Sequence, residues 1–509
     1  MKSKIFLIGI LAALLTACGE SFLTVPSETS LTSDTFFKTE SDFKAAINSS
    51  YAPLREMFTG TASTSTTANG FYLLAEMHSD NARYVLNPDF RASLYQENVA
   101  DFISEAPNTV STSQYRFNYR VIARVNQILA TIDAVTFDAT SKGNIKGQAL
   151  FLRAFCYFNL VQYFGSVPMH LEPATKITDT AIPLSAPDVI YTQILTDAKA
   201  AIDLLPEKID SELGRVTKGA ARMLLANVYM VKKDYANAET LLRAIVTSNQ
   251  YSLMPNYASI FDPTKKNNSE SIFEIQYKQG TDGYSSTFTY SFLPYPLPLS
   301  TVATLTGVSN PNSLNLGEQF NAPSPELIGI YESGDLRLGA SIGYTTTSAG
   351  RTLPYCKKYT HPHLLLNQSD DNWPVYRYAE VLLFLGEALN EQNKPAEALT
   401  YINQVLGNSA VSIRGRAGLS SVSASSQAEV RTAIEKERRT ELAFENKRWT
   451  DLVRTGKAVE VITAYGARIK ASPVNYYFPA GYTPPAAAFA KIELVWPLPA
   501  DESLYSPYF

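Results

Sequence analysis

Residues 218–246 read KGAARMLLANVYMVKKDYANAETLLRAIV, and residues 378–406 read YAEVLLFLGEALNEQNKPAEALTYINQVL. Each stretch places apolar residues at helical spacing on both sides of a polar break, which is Lys232-Lys233-Asp234 in the first stretch. The second stretch repeats the first at a constant displacement of 160 residues. The equivalent positions are Leu224, Leu225, Ala226, Tyr229, Tyr235, Ala238 and Leu242 in the first, and Phe384, Leu385, Gly386, Leu389, Pro395, Ala398 and Ile402 in the second.

Small residues occupy the positions at which two antiparallel helices would approach most closely. They are Ala226 and Ala238 in the first hairpin, and Gly386 and Ala398 in the second. This is the pattern of a tetratricopeptide-like unit, and such units must stack to bury their apolar faces. The alternative is a chance similarity of two amphipathic hairpins. We predict a mainly α fold in which tetratricopeptide-like helical hairpins form an α-solenoid frame.

Further helices are predicted around these hairpins, over about residues 113–132, 144–164 and 189–246. The helix at 144–164 is apolar around most of its circumference, so Arg153 within it needs an acceptor. Near the C-terminus, charged and apolar residues share one helical stripe, which predicts an ion-pair network that locks the last helices to the frame. The stripe consists of Ile434, Arg438, Glu441, Leu442, Glu445, Arg448, Trp449 and Leu452.

Helical periodicity fades between residues 251 and 374, where proline, glycine, asparagine and aromatic residues accumulate. A long irregular segment inside a helical frame is usually functional, so this large, loop-rich insert is the candidate ligand-binding region. We assign residues 18–250 to an N-terminal helical region. Residues 375–509 form a C-terminal region with further hairpins and a wrapping, Pro- and Tyr-rich tail.

The first residues of the chain have the features of a lipoprotein signal peptide. Lys2 and Lys4 precede a short apolar run that ends at Thr16-Ala17-Cys18. We predict that residues 1–17 are removed and that Cys18 is lipidated, which would tether the protein to a membrane through lipid alone. The alternative is an ordinary cleaved signal followed by a chance cysteine.

Composition excludes several classes of protein. Without the two signal lysines, 42 basic residues face 48 acidic ones (44 − 2 against 48), so no basic face for nucleic acid is indicated. No glycine loop for phosphate, dinucleotide fingerprint or G-x-S-x-G motif occurs, so we expect no cofactor and no enzymatic activity.

His361-Pro362-His363 lacks the ligand spacing of a zinc site and is interpreted as a loop. A disulfide between Cys156 and Cys356 remains open, although Cys156 in an aromatic helix is more typical of a buried free thiol.

Aromatic side chains suggest where a ligand would bind. The chain holds 30 Tyr and 25 Phe but only 3 Trp, and each Trp lies in or beside a frame motif, so tyrosine must supply any stacking surface. One candidate region is the polar loop at 79–84 with Asp80, Asn81 and Tyr84, followed by Tyr95. The other is the insert with Tyr284, Tyr290 and Tyr295, where Phe288, Tyr290 and Phe292 would share one face of a strand. The alternative is that these rings only pack the insert onto the frame.

Several motifs together resemble the SusD/RagB family of surface lipoproteins from Bacteroidetes-type bacteria. They extend over nearly the whole chain, although this chain lacks the family's Asn/Pro/Gly/Tyr-rich end. The matching segments are Phe22–Pro26, Phe36–Glu40, Ala149–Ala154, Phe164–Pro168, Arg377–Val381, Glu437–Leu442, Arg448–Leu452 and Trp496–Pro499.

The resemblance implies a lipid-anchored, surface-exposed outer-membrane protein for carbohydrate uptake. It would bind a nutrient oligosaccharide, or in some relatives a peptide, and deliver it to a SusC-like TonB-dependent barrel. Two alternatives remain from other classes of protein. One is a scaffold lipoprotein whose stacked hairpins bind only protein partners. The other is a glycoside hydrolase that uses a carboxylate pair such as Glu441 and Glu445, although structural pairing with arginine is the preferred interpretation.

Overall fold

A computed structural model describes residues 36–59, 69–88, 91, 94–208, 213–280, 282–311 and 319–508. The predicted signal peptide and Cys18 lie outside these residues. The helices are α1 Glu40–Thr59, α2 Leu94–Ala100, α3 Thr109–Thr131, α4 Ala139–Phe164, α5 Pro187–Leu204, α6 Lys218–Val231, α7 Tyr235–Thr247, α8 Phe288–Phe292, α9 Leu299–Thr306, α10 Pro325–Ile330, α11 Leu336–Ser341, α12 Tyr378–Glu391, α13 Pro395–Asn403, α14 Ile413–Arg416, α15 Gln427–Glu441, α16 Arg448–Arg454, α17 Ala458–Ala471 and α18 Glu502–Tyr505.

Short helical turns and strands complete the architecture. A π-helix spans Leu73–Met77, and 3-10 turns span Ile132–Ala134, Ile177–Thr180, Tyr257–Ile260, Pro263–Lys265 and Pro473–Tyr476. The strands are β1 Ala82–Val85, β2 Val167–Pro168, β3 Leu184–Ser185, β4 Ser271–Ile275, β5 Gln319–Pro323, β6 Ile342–Thr346, β7 Thr352–Cys356 and β8 Trp373–Arg377. Within the described ranges they form antiparallel pairs only, β1 with β5, β2 with β3, β4 with β8 and β6 with β7.

The helical frame is built as the sequence predicts. Helices α3 to α7 pack each against the next, and α12 packs against α7, α13 and α15. The two hairpins that are 160 residues apart in the chain are therefore direct neighbours. Where α12 meets α13, a Cβ added at Gly386 would lie 3.2 Å from the carbonyl oxygen of Ala398. The small residues are required by this close approach, as the sequence predicted.

The long helix α4 is buried along most of its length, and its one arginine has the predicted acceptors. Arg153 donates to both carboxylate oxygens of Asp197, at 2.7 and 2.9 Å, and to the side-chain oxygen of Asn126 at 3.1 Å. The Cys156 thiol in the same helix is free and fully buried, as is that of Cys356. The two cysteines therefore form no disulfide.

The insert leaves and rejoins the frame through one pair of strands. In the β4–β8 pair, Ser271 lies opposite Arg377, and Ile275 lies opposite Trp373. Because these strands pair, the chain returns at α12 close to where it left the frame after α7. The Trp373 ring is fully buried and stacks on Tyr359 with centroids 4.4 Å apart. Aromatic packing of this kind anchors the inner side of the insert to the frame.

Phe288, Tyr290 and Phe292 do not share one face of a strand, because residues Phe288–Phe292 form the short helix α8. All five side chains are buried, so the segment has no solvent-facing side. A segment buried on every side carries no periodic signal that separates strand from helix.

The predicted C-terminal ion-pair network is present, but two details differ. The stripe is not one helix, since α15 ends at Glu441 and α16 begins at Arg448, with Phe444 and Asn446 at positive φ between them. Glu441 also pairs with Arg337, Arg377 and Arg416 rather than with Arg438 or Arg448. These partners come from distant segments, which helical spacing cannot reveal.

The tail after α17 wraps the body as predicted. The backbone N–H of Phe489 donates to the carbonyl of Asp101 at 2.8 Å, and that of Trp496 donates to the carbonyl of Tyr163 at 2.7 Å. These bonds fix the tail to the N-terminal half of the chain. No helix in the described part of the chain is both long and apolar enough to cross a membrane.

Candidate functional site

The first predicted ligand-binding region lies inside the protein. Asp80 is 2% exposed, and its carboxylate pairs with Arg439 at 2.9 Å and Arg448 at 2.7 Å. Burial raises the pKa of Asp80, but the two guanidiniums outweigh burial and hold this pKa below its ordinary value. Asn81 is also buried, and its side-chain oxygen accepts from Arg439 at 2.7 Å. Asp80 and Asn81 thus join the N-terminal region to α15 and α16.

Tyr84 and Tyr95, from the same predicted region, do not form an open aromatic surface. Tyr84 belongs to strand β1, is fully buried and donates its hydroxyl to Asp101 at 2.9 Å. Tyr95 is half-buried in α2, and its carbonyl accepts from the Asn108 side chain at 2.9 Å. The polar loop predicted at 79–84 is therefore partly a buried strand, and its Asp80, Asn81 and Tyr84 make structural contacts.

The three tyrosines of the insert have different environments. Tyr290 is 3% exposed within α8, and its hydroxyl lies 2.6 Å from Nε2 of His363. Burial raises the pKa of Tyr290 to about 12. Tyr295 is half-buried and precedes Pro296 through a cis peptide bond. Only Tyr284 of this set is open to solvent, with 47% of its surface exposed.

Tyr284 lies against an arginine of helix α1. The guanidinium carbon of Arg55 is 4.7 Å from the centroid of the Tyr284 ring. This separation is within the range of a cation–π contact, which here fixes the orientation of both side chains. The carbonyl of Tyr284 accepts from the backbone N–H of Lys278 at 2.8 Å, so the loop that carries the ring is also held.

Arg55 also lines a cleft of about 310 Å³, which we call the Tyr284 cleft. Three segments that are distant in sequence form it. Its lining consists of Asn48, Tyr51, Leu54 and Arg55 from α1, residues 213–215, and Phe273, Glu274, Ile275 and Gln276 from β4 and its end. Tyr284 is not one of the lining residues, and its ring lies beside the cleft against the lining side chain of Arg55.

The polar groups of the Tyr284 cleft are held in place by one another. The guanidinium of Arg215 lies 4.9 Å from the centroid of the Tyr51 ring and hydrogen-bonds to the side chain of Asn48. The Tyr51 hydroxyl donates to Gln148 at 2.9 Å. Gln276 exchanges two side-chain hydrogen bonds with Asn267, each 2.9 Å long. The cleft therefore combines aromatic faces with preset donors and acceptors.

Sequence reasoning placed Tyr284 in a ligand site but missed the residues around it. Tyr51 and Arg55 are four residues apart on α1, so they lie on one helical face, and this spacing is a signal that could have found them. Arg215 and Gln276 carry no such local signal, because the tertiary structure alone brings residues 213–215 beside β4.

Among the described residues, no group of three or more His, Cys, Asp or Glu side chains is placed to hold a metal ion. The carboxylates of Glu441 and Glu445 are fully enclosed by basic groups, with Arg377 bound to both. All three tryptophans, Trp373, Trp449 and Trp496, are at most 3% exposed. Their rings are therefore packed within the core.

Comparison with known proteins gives consistent results at both ends of the chain. The family model described as the SusD family matches residues 341–504, and the model described as starch-binding and associating with the outer membrane matches residues 22–230. A SusD-like protein of Formosa agariphila is 28% identical over 498 residues, which cover 91% of this chain and 93% of the relative.

Solved structures with the same fold include two described as carbohydrate-binding. A SusD-like carbohydrate-binding protein from Bacteroides fragilis superposes with a TM-score of 0.75 at 24% identity, over 93% of this chain and 99% of the other. A laminarin-binding SusD-like protein superposes with a TM-score of 0.71 at 24% identity, over 92% and 98%. At this identity the similarity concerns the fold.

The fold and the cleft define a class of protein in which a frame of stacked helical hairpins carries an irregular insert with aromatic side chains. The chain belongs to the SusD/RagB family, as its motifs indicated.

Proposed function

We propose that this protein is a surface-exposed lipoprotein, anchored in the outer membrane through Cys18, that binds a nutrient oligosaccharide and delivers it to a TonB-dependent transporter. The ligand binds at the Tyr284 cleft, without covalent chemistry or a cofactor. The observation that carries this proposal is the exposed Tyr284 ring, held by Arg55 at the edge of a polar and aromatic cleft.

The chemistry of the cleft suits a sugar. A pyranose has an apolar C–H face, which packs on an aromatic ring, and a rim of hydroxyl groups, which need hydrogen-bond partners. Tyr284 supplies an accessible ring, and the guanidiniums of Arg55 and Arg215 supply donors around it. A small number of placed polar groups beside aromatic surface is the usual composition of such sites.

The relatives support the same class of ligand. Two of the solved structures with this fold are described as carbohydrate-binding and laminarin-binding. The family model that matches residues 22–230 is described as starch-binding. The insert residues around Tyr284 set which sugar this chain prefers.

Isothermal titration against a panel of oligosaccharides and short peptides tests ligand binding. Tyr284→Ala should weaken binding by about tenfold or more, the equivalent of about 1.4 kcal/mol, because it removes the stacking surface. Tyr284→Phe should retain most of the affinity, since the ring remains. Tyr344→Ala is the matched control, because Tyr344 is another exposed tyrosine of the insert, 56% accessible, on strand β6.

Two results would count against the proposed ligand site. One is unchanged affinity in Tyr284→Ala together with a loss in Tyr344→Ala, which would move the site to the β6–β7 hairpin. The other is binding of peptides alone, which would change the ligand class. A reducing-end assay on the same sugars should show no turnover, and release of new ends would indicate a hydrolase.

Delivery to a transporter is tested by native purification. The protein extracted from membranes in mild detergent should carry with it a TonB-dependent barrel. Recovery of other protein partners without a barrel would favour the scaffold alternative.

A further inference from the structure

A second cleft, of about 450 Å³, lies between helix α3 and the C-terminal segment of the chain. One wall is formed by α3, where Arg116, Tyr119, Arg120 and Ala123 follow at the spacing of a single helical face. The other wall consists of Pro168 at the end of strand β2 and His170 just after it, together with Glu502 and Ser506. We call it the Tyr119 cleft. Its residues are different from those of the Tyr284 cleft.

Aromatic rings line the Tyr119 cleft. The ring centroids of Tyr115 and Tyr119 are 4.8 Å apart, and the His170 ring meets the Tyr119 ring edge-on at 5.9 Å. The Tyr119 hydroxyl donates to the carbonyl of Pro168 at 2.6 Å, which holds this ring across the two walls. The carbonyl of His170 accepts from the hydroxyl of Tyr157 at 2.7 Å and from the side chain of Asn126 at 3.0 Å. The cleft is thus formed before any ligand enters.

The two arginines of the Tyr119 cleft face three carboxylates. Arg116 pairs with Asp501, and Arg120 pairs with Glu56 at 3.0 Å, while both arginine side chains remain just over half exposed. Burial lowers the pKa of His170, which keeps its imidazole uncharged at neutral pH. Glu502 is the remaining carboxylate on the wall, and burial followed by the neighbouring Asp501 raises its pKa. Each arginine is matched by a carboxylate and Glu502 adds a further one, so the cleft does not favour an anionic ligand.

We propose that the Tyr119 cleft is a second saccharide-binding site, selective for neutral sugars. Its volume falls within the range of about 300–1,000 Å³ that is usual for small-molecule sites. The aromatic wall would receive the C–H face of a pyranose, and the exposed guanidiniums of Arg116 and Arg120 would donate to its hydroxyl groups. The inference rests on the proposed function, because it assigns a second site for the same class of ligand.

Blocking the cleft is a sharper test than removing its rings, because Tyr119 also supports the fold. Ala123 is an exposed residue on the wall, so Ala123→Trp fills the cleft and deletes no core contact. Ala130→Trp is the matched control, since Ala130 is exposed on the same helix and outside the cleft lining. Circular dichroism should show that both variants are folded.

Saturation-transfer NMR titrations would use trisaccharides of glucose, galactose and mannose as probes, with the wild type, Ala123→Trp, Ala130→Trp, Tyr284→Ala and the double variant Tyr284→Ala/Ala123→Trp. For one of these sugars, Ala123→Trp should still bind at the Tyr284 cleft, and Tyr284→Ala should still bind at the Tyr119 cleft. The double variant should lose at least about tenfold in apparent affinity. Ala130→Trp should match the wild type.

The outcomes separate the two proposals. Loss of all binding in Tyr284→Ala overturns the second site and leaves the proposed function intact. The second site is also overturned if Ala123→Trp binds like the wild type and the double variant binds like Tyr284→Ala. Loss of all binding in Ala123→Trp, with Tyr284→Ala unaffected, supports the Tyr119 cleft and overturns the Tyr284 site. Absence of binding to every probe in the wild type contradicts the second site.

Discussion

Glu441 shows how a charged residue can be essential to the fold without being part of an active site. Its carboxylate is fully buried and receives Arg377 at 2.7 Å, Arg337 at 3.1 Å and Arg416. Burial raises the pKa of Glu441, but Arg416, Arg377 and Arg337 outweigh it and hold the group well below its ordinary pKa. An ionised carboxylate that is shared by three guanidiniums is unsuited to donate a proton in glycoside hydrolysis.

Removal of this charge should be severely destabilising. Glu441→Gln should lower the free energy of unfolding by about 3–5 kcal/mol, because it leaves three buried guanidiniums without their shared counter-charge. Urea unfolding of the purified protein provides the measurement. The control is Glu391→Gln, which breaks the partly exposed pair with Arg431 and should cost about 1 kcal/mol or less. Equal effects of the two variants would contradict the structural role of Glu441.

The lowered pKa of Glu332 predicts how the free energy of unfolding depends on pH. Its hydrogen bond to Arg414, aided by Lys436, lowers the pKa of Glu332 to about 2. A carboxyl group whose pKa is lower in the folded state stabilises the fold above its unfolded pKa, and this contribution is lost as the pH falls through the folded pKa. The contribution should therefore be complete at neutral pH and disappear between about pH 4.5 and 2.

Glu332→Gln should lower the free energy of unfolding by about 1 kcal/mol at pH 7, a value reduced by solvent screening because 36% of the side chain is exposed. Near pH 2 the variant and the wild type should be equally stable. The exposed Glu105→Gln serves as a control, with an expected change below about 0.5 kcal/mol at both pH values. A difference for Glu332→Gln that is the same at both pH values would refute the assignment.

At the scale of single elements, the close packing of α12 on α13 is the feature that repeats between the hairpins. A Cβ on Gly386 would meet the Ala398 carbonyl at 3.2 Å and Cδ1 of Ile434 at 3.5 Å. The first neighbour is backbone of α13, so it cannot move aside without shifting the helix. Space between these helices is therefore limited by the backbone itself.

Gly386→Val should destabilise the protein by about 1–3 kcal/mol through overpacking. Thermal unfolding monitored by circular dichroism would measure this as a lower Tm. Gly339→Val is the matched control in α11, because no atom lies within 4 Å of a Cβ at that position. A similar loss in both variants would mean that glycine is needed for a reason other than helix contact.

The aromatic run at Phe288–Phe292 marks a limit of element prediction. Alternation of aromatic and hydroxyl residues suggested a strand, whereas the segment is a buried helix. The Phe288 ring contacts Tyr277, Tyr359 and Trp373, so tertiary contacts from three other segments decide its conformation. Such contacts override the local preference of a five-residue segment.

At the scale of the whole molecule, the two hairpins are joined by a polar seam. Arg243 of α7 pairs with Glu239 on its own helix and with Glu397 of α13, and Lys394 also pairs with Glu239 at 3.0 Å. The seam forms although the insert separates the hairpins in sequence. Pairing of β4 with β8 closes the insert, so the stack remains continuous.

Attachment of the whole molecule to the membrane is predicted to depend on Cys18. Cys18→Ala should abolish incorporation of radiolabelled palmitate and move the protein from the membrane fraction to the soluble fraction, because no other anchor is predicted. Binding of oligosaccharides by the purified variant should be unchanged, since the Tyr284 cleft is formed without residue 18. Membrane retention of the unlabelled variant would disprove lipid anchoring through Cys18.

The sequence alone predicts the helical frame, the repeat of 160 residues, the need for small residues at Gly386 and Ala398, and the need of Arg153 for a buried acceptor. These features depend on spacing along one helix or on one buried charge, and both are local properties of the chain. Which tyrosines are accessible depends on contacts between segments that are separate in the sequence. Tyr84 is buried because strand β1 pairs with β5, and Tyr290 is buried against His363, whereas Tyr284 contacts Arg55 and stays exposed.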